Sequence, residues 1–309
     1  MKKILCIAQT FCDLIFGNLP REPGLGEEVY GDTFVVRPGG GANTPIHLGR
    51  LGADVTLLTG VGSDEMGEKI LSELRHSGVR VCGAIARPGT RTAVSAVLST
   101  AADRSFASFG GTEGPFFTPE QLEEEICRAD IVYTYLGYCA AYPVAQICKR
   151  FRKPLFLEAS WCDAALPDSV REALGECSWL KVNAVEAEHL TGEAGPEQGL
   201  RKLAGLVRRG AVVTLGAQGS IGVDLENTSE KMEVIRQKPR ECGAFRDACG
   251  AGDAYAAGML LGFSRQLPLA EAMRMGAILS GYCVTWFGGS SGDGLGGAVQ
   301  ELLEKTQKM

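Results

Sequence analysis

The chain has no C-x-x-C pair, no cluster of histidines and no apolar run of the roughly 18 residues that a membrane span needs. Its 11 cysteines, an odd number, are scattered from Cys6 to Cys283. That pattern argues against a disulfide framework and a zinc site, and it points to a reducing compartment. His47, His76 and His189 are too far apart in sequence to suggest a histidine metal cluster. An excess of positive charge is missing too: the formal net charge is -6, so neither nucleic acid nor an anionic membrane surface is an expected partner. The opening "MKKILCIAQT" has too few apolar residues for a signal peptide and reads as a first buried strand. The expectation is a soluble cytosolic protein. Glycine, in contrast, is abundant at 41 of 309 residues, which implies many tight turns.

Strand-like apolar runs recur at 3–8, 55–61, 130–136, 154–159, 179–183 and 211–216. Amphipathic, helix-like stretches alternate with them at 42–51, 65–76, 119–128, 142–150, 184–190 and 198–208. The alternation predicts a mostly parallel sheet covered on both faces. Two stretches, 9–38 and about 82–112, break the rhythm with short alternating runs such as "TFVV", "TAVSAVL" and "SFASF". They read as extra antiparallel strands in a small layer apart from the main sheet. "GGSSGDGLGG" at 288–297 reads as a loop before a last helix at about 298–308.

The stretch with most chemical content is "DACGAGDAYAAG", residues 247–258. Gly250, Ala251 and Gly252 can present consecutive amides at a helix start, where the macrodipole favours an anion. Asp253 then either caps that helix or removes a proton from a hydroxyl attacking a phosphoryl group. The glycines at 39–41, ahead of a helix bearing Asn43, let a ligand lie against the backbone, with the Asn43 amide available to vicinal hydroxyls. Asp64 reads as a plain helix cap. Asn183 and Glu186, three residues apart, fit equally a capping box or an amide and carboxylate aimed at hydrated Mg²⁺. Thr214, Gly216 and Gly219 mark a turn able to accept a flat ring or a phosphate. A dinucleotide fingerprint fails, because the first strand runs into "AQTFCD" rather than glycines.

Taken in order, these motifs resemble the ribokinase-like (PfkB) carbohydrate kinase family over about residues 3 to 306. The resemblance implies a three-layer α/β/α sandwich with a mostly parallel central sheet, a single domain over 1–309, and a β-strand lid from 9–38 and 82–112. It implies ATP-dependent phosphorylation of a hydroxymethyl group on a small sugar or sugar-like alcohol, with ATP and Mg²⁺ as cofactors. Asp253 would be the base and the amides of Gly250, Ala251, Gly252 and Asp253 the anion hole. Asp13 would hold sugar hydroxyls with Gly40, Gly41 and Asn43. Asn183 and Glu186 would position phosphates and Mg²⁺, Glu186 through water, while Thr214, Gly216, Gly219 and Asp247 would line the nucleotide side. The lid would cover the sugar and serve as a homodimer contact.

Several positions depart from the family pattern. The D-x-N-x-R stretch appears as "LEASWCD", with Glu158, Ser160 and Cys162, and leaves Glu158 as a supporting carboxylate. Ala248 and Cys249 precede the anion hole, where an exposed Cys249 would be open to oxidation. Gly292 stands where a serine ligand for K⁺ is often found, which weakens the case for K⁺. In the lid, Arg104 is the nearby cation, which disfavours a strongly anionic substrate and leaves pentoses, hexoses and nucleosides open. A nucleoside or hydroxymethylpyrimidine kinase of the same fold would use aromatic stacking, for which Phe11, Phe16, Phe106 and Phe109 are candidates. A catalytically silent sugar-binding protein would have lost Asp253 or its glycines, and both are present.

Overall fold

The computed structural model describes residues 1–83, 89–111, 116–159, 168–226, 232–292 and 295–306. Ser160 and Cys162 lie outside these residues, as do 84–88 and 112 of the expected lid and 307–308 of the expected last helix. Strands run β1 Ile4–Ile7, β2 Thr10–Leu19, β3 Thr33–Gly40, β4 Val55–Leu58, β5 Arg80–Cys82, β6 Ala93–Thr100, β7 Arg104–Phe109, β8 Ile131–Tyr135, β9 Leu155–Glu158, β10 Trp179–Asn183, β11 Gly210–Thr214, β12 Ser220–Asp224 and β13 Val234–Gln237. Helices are α1 Asn43–Arg50, α2 Glu65–His76, α3 Pro119–Arg128, α4 Leu136–Ala141, α5 Val144–Arg150, α6 Asp168–Glu176, α7 Ala184–Thr191, α8 Pro196–Ala204, α9 Ala251–Ser264, α10 Leu269–Cys283 and α11 Leu295–Thr306. Among the described residues no helix is long and apolar enough to cross a membrane.

The larger sheet has the order β13-β12-β11-β10-β9-β8-β1-β4-β5 and is parallel from β11 to β5. Its parallel strands read mostly as apolar runs because each face is covered. Ile4 and Cys6 of β1 point into one core cluster with α9 and α10, and Leu5 and Ile7 into the other with α3 and α5. Each fully buried Leu or Ile contributes about 1.5–3 kcal/mol to this core. Strands β12 and β13 add an antiparallel edge that the apolar runs do not reveal, since both are short and half polar. Helix α5 starts at Val144, later than the sequence suggests, because Pro143 is its cap. Helix α8 begins at Pro196, where a missing N–H is harmless, and closes at Gly205. Helix α11 begins at Leu295, so Gly296 and Gly297 are helical rather than part of the loop.

The second sheet has the order β3-β2-β6-β7. It contains the expected extra strands, but they are not all antiparallel: β2 pairs parallel with β6. Alternation predicts a strand without fixing its direction, and here β6 follows a long return through α1, β4, α2 and β5. The chain enters and leaves this sheet at one end, where Thr10 pairs Gly40, Phe11 pairs Ala93 and Val94 pairs Phe109.

Asp64 is a cap, as read from the sequence, and it also joins α2 to this second sheet. Its carboxylate accepts from Gly67 N at 3.0 Å and from Thr92 N at 2.9 Å, one residue ahead of β6. Asp64→Ala is expected to lower unfolding free energy by about 2 kcal/mol, the sum of a lost cap and an unsatisfied neighbour. A urea titration would show it as a lower midpoint at unchanged slope; an unchanged midpoint would mean that the cap carries no stability.

Candidate active site

Strands β1, β8, β9, β10 and β11 end along one edge of the parallel sheet, the edge at which open α/β sheets bind ligands. Helix α9 starts against that edge. It is apolar all round and buried from Ala254 to Ser264, so it serves as a core helix whose N-terminus alone meets solvent. Gly250, at φ +71°, turns the chain into it. A Cβ on Gly250 would lie 2.2 Å from the Gly289 Cα, and one on Gly289 would lie 2.6 Å from Asn43 Nδ2. Three segments therefore converge where no side chain fits.

Asp253 sits in the first turn of α9, half-buried. Asn43 donates to its Oδ2 at 2.9 Å and the Tyr135 hydroxyl to its Oδ1 at 3.2 Å. It does not cap α9, which has no side-chain cap. Burial pushes its carboxyl above the ordinary carboxylate range, and Asn43, Lys181, Tyr135 and Arg104 pull it part of the way back. The Ala251 N–H is turned onto the Ala248 carbonyl at 3.2 Å. Among the described residues the N–H groups of Gly250, Gly252 and Asp253 have no acceptor, which narrows the expected anion hole to these.

Asp13 is 5% exposed and has no hydrogen-bond partner among the described residues. Burial, then the charges of Asp253 and Asp247, push its carboxyl up to about 7. Its oxygens lie over Gly39, where an added Cβ would be 1.8 Å from Oδ2. Gly40 is exposed at the turn, and the Gly41 N–H is engaged with the Gln9 carbonyl at 2.9 Å. The Asn43 Oδ1 atom is buried without a partner. An unpaired carboxylate and an orphaned amide oxygen form an acceptor pair suited to vicinal hydroxyl donors. The strand registers put Phe11, Phe106 and Arg104 on the Asp13 face of the second sheet, and Phe16 and Phe109 on the other. Arg104 has a buried, unpartnered Nε, and its charge reaches Asp253.

Of the two readings of Asn183 and Glu186, the capping box is present. They form a reciprocal capping box on α7, with both bonds at 2.8 Å. This uses one carboxylate oxygen and, among the described residues, leaves Glu186 Oε1 and the Asn183 amide nitrogen unengaged. Glu186 is raised by burial, with the Lys181 charge acting against that and the Asp253 charge adding to it. Among the described residues no three acidic, histidine or cysteine side chains converge to hold a metal. A Mg²⁺ here would take one carboxylate, directly or through water, and complete its shell with water and phosphate oxygens. Thr214 lies in register beside Asn183, followed by the open turn Gly216–Gly219. Asp247 has both oxygens engaged, with Cys249 N and Gly288 N each at 3.0 Å, so it clamps the start of α9 to the 288–291 loop. Cys249 is buried and its thiol pushed up to about 12 by that burial, so it is not the oxidation-prone site that exposure would have made.

Residue types and spacing missed Thr44, Tyr133, Tyr135 and Lys181. The available signal was polarity in otherwise apolar strands: two alternating tyrosines in "IVYTY" and a lysine inside "WLKVN".

The chain matches the description "pfkB family carbohydrate kinase" over residues 1–293. It is 25% identical over 299 residues to the ribokinase of Lactococcus lactis subsp. lactis (strain IL1403), covering 94% of each chain. It is 29% identical over 283 residues to a fructokinase of Rhizobium leguminosarum bv. trifolii, covering 83% of this chain and 78% of that one. The structure of Arabidopsis thaliana ribokinase complexed with ribose and ATP superimposes with a TM-score of 0.78 at 22% identity, over 98% of this chain and 99% of that one. That likeness carries the ribokinase-like α/β fold. The family match spans β1 to the loop beyond α10, and on it the chain belongs to the pfkB family of carbohydrate kinases.

Proposed function

We propose that this chain transfers the γ-phosphoryl group of ATP to a hydroxymethyl group of a small sugar or sugar-like alcohol. The observation that carries this reading is Asp253: a carboxylate with solvent access, held by Asn43 and Tyr135, beside free amides and within the field of the unpaired Asp13. The acceptor's hydroxyls bond to Asp13 and the Asn43 amide oxygen, which aims its free hydroxyl at Asp253. Asp253 takes the proton as the oxygen attacks the γ-phosphorus. The new O–P bond forms, the bond to the β,γ-bridging oxygen breaks, ADP leaves and Asp253 returns its proton to solvent. The amides of Gly250, Gly252 and Asp253 stabilise the transferring group. Bound Mg²⁺, near Glu186, would offset phosphate charge during transfer.

The second sheet acts in this reading as a lid over the sugar within a single domain spanning the chain. Its outer face exposes Phe16, Phe34 and Phe109, an apolar surface suited to the same face of a second copy. Phe11 and Phe106, on the Asp13 face, keep nucleosides among the acceptors to be assayed. The names of the relatives make D-ribose and D-fructose the first sugars to try.

ADP release from MgATP is expected with at least one member of a panel of pentoses, hexoses, polyols and nucleosides. Asp253→Asn should lower kcat by about a hundredfold or more with KM little changed, the usual worth of a general base. Turnover equal in both proteins would remove Asp253 from the reaction.

Asp13 generates a second expectation. It accepts hydroxyl donors as a carboxylate, and its carboxyl is raised to about 7, so capture of the sugar is complete above that pH and lost as pH falls through it. The kcat/KM for the sugar should therefore decline on the acid side of neutrality. Asp13→Asn should raise KM and flatten that limb; an unaltered profile would assign the limb to another group.

A further inference from the structure

A buried ion pair lies directly beneath the first turn of α9. Lys181 and Glu158 are register partners on the adjacent parallel strands β10 and β9, each side chain 5% exposed, and their charged ends are in direct contact. A buried pair of this kind is weak support for stability, because desolvation opposes the attraction and apolar replacements often do as well. What it touches points to another role. Lys181 Nζ donates to the Gly252 carbonyl oxygen at 3.2 Å, and a Cβ on Gly252 would lie 3.1 Å from Nζ. The other oxygen of Glu158 accepts from the Tyr133 hydroxyl. That hydroxyl lies 3.2 Å from the Thr44 hydroxyl, which reaches the Asp253 carbonyl oxygen at 3.2 Å. The carbonyls of Gly252 and Asp253 are thus both held by groups anchored in the sheet and α1.

The peptide group gives this contact its consequence. The Gly252 C=O and the Asp253 N–H belong to one planar trans unit and point in opposite directions. We propose that Lys181, kept in place by Glu158, is a positioning residue for phosphoryl transfer: by holding the Gly252 carbonyl it aims the Asp253 N–H at the transferring group. The cation also polarises that peptide and strengthens its N–H as a donor. Burial acts against the charge on Lys181, but the carboxylate beside it outweighs burial and keeps the ammonium protonated. The inference rests on the kinase reading above.

The test uses tetrafluoroaluminate, which takes the place of the phosphoryl group in flight. The affinity of the full chain for MgADP is measured calorimetrically with and without AlF4⁻, with D-ribose or D-fructose present. Lys181→Met alone leaves Glu158 unpaired and is expected to unfold readily, so the decisive protein is Lys181→Met/Glu158→Gln, which removes both charges and keeps an acceptor for Tyr133. Wild type should gain at least about tenfold in affinity from AlF4⁻. The double variant should bind MgADP within about threefold of wild type yet lose about tenfold of that gain. A double variant that keeps the whole gain overturns the positioning role and leaves the kinase reading intact. One that does not fold, or loses MgADP as well, also overturns it, since the pair would then serve the fold. A wild type with no gain from either sugar, nor from any acceptor that supports ADP release, sinks the kinase reading together with the inference.

Discussion

Everything at the site depends on how closely three backbone segments can approach one another. Gly250 and Gly289 leave no room for a Cβ, and Asn43 fills the gap beside them. A larger side chain at Gly289 would push Asn43 off Asp253, and one at Gly250 would lift the start of α9 from the 288–291 loop. His47 and Arg50 of α1 reinforce the contact by bonding to the carbonyls of Gly289, Ser290 and Ser291. Asp247 closes it from the other side. The small residues of α9 follow from the same constraint. They let an entire helix sink into the core so that its polar end arrives at the sheet edge.

That arrangement concentrates negative charge. The charges of Asp253 and Asp247 bear on Asp13, and burial is the main cause that raises the carboxyls of both Asp13 and Asp253. The groups that compensate the Asp253 charge are fixed parts of the protein: the amide of Asn43, the hydroxyl of Tyr135, the ammonium of Lys181 and the guanidinium of Arg104. Such a site needs little rearrangement when charge moves during a reaction.

How much of this was legible in the sequence depended on whether a feature is local. The "DACGAGDAYAAG" turn was readable because its glycines, its acid and its small-residue helix are contiguous. So was Asp64, whose capping role is decided within three residues. Spacing could not decide between cap and ligand for Asn183 and Glu186, since both roles need the same offset; the structure shows the cap. The partners of Asp253 come from positions 118 and 210 residues away, and nothing local marks Tyr135 as one of them. Lys181 was visible only as an anomaly, a charge inside an apolar strand, whose meaning waits on the neighbouring strand's Glu158. The parallel pairing of β2 with β6 was hidden for a similar reason: alternation gives a strand its faces but not its direction.

The four strands of the smaller sheet all join the rest of the chain at one end, and this has a mechanical consequence. In the lid reading proposed above, a sheet tethered in that way would tilt as a lever, lifting Ile15 and Val97 off Phe287. Asp13 lies three residues beyond the tether at Thr10, whereas Arg104 pairs with Ser99 near the free end. At about 3.3 Å per residue, any tilt carries Arg104 roughly twice as far as Asp13. In that reading the Asp13 carboxylate would stay close to its place while the Arg104 guanidinium swept in and out. The polar recognition proposed for a sugar would lie near the fulcrum, and the charge that bears on Asp253 would arrive with the tip.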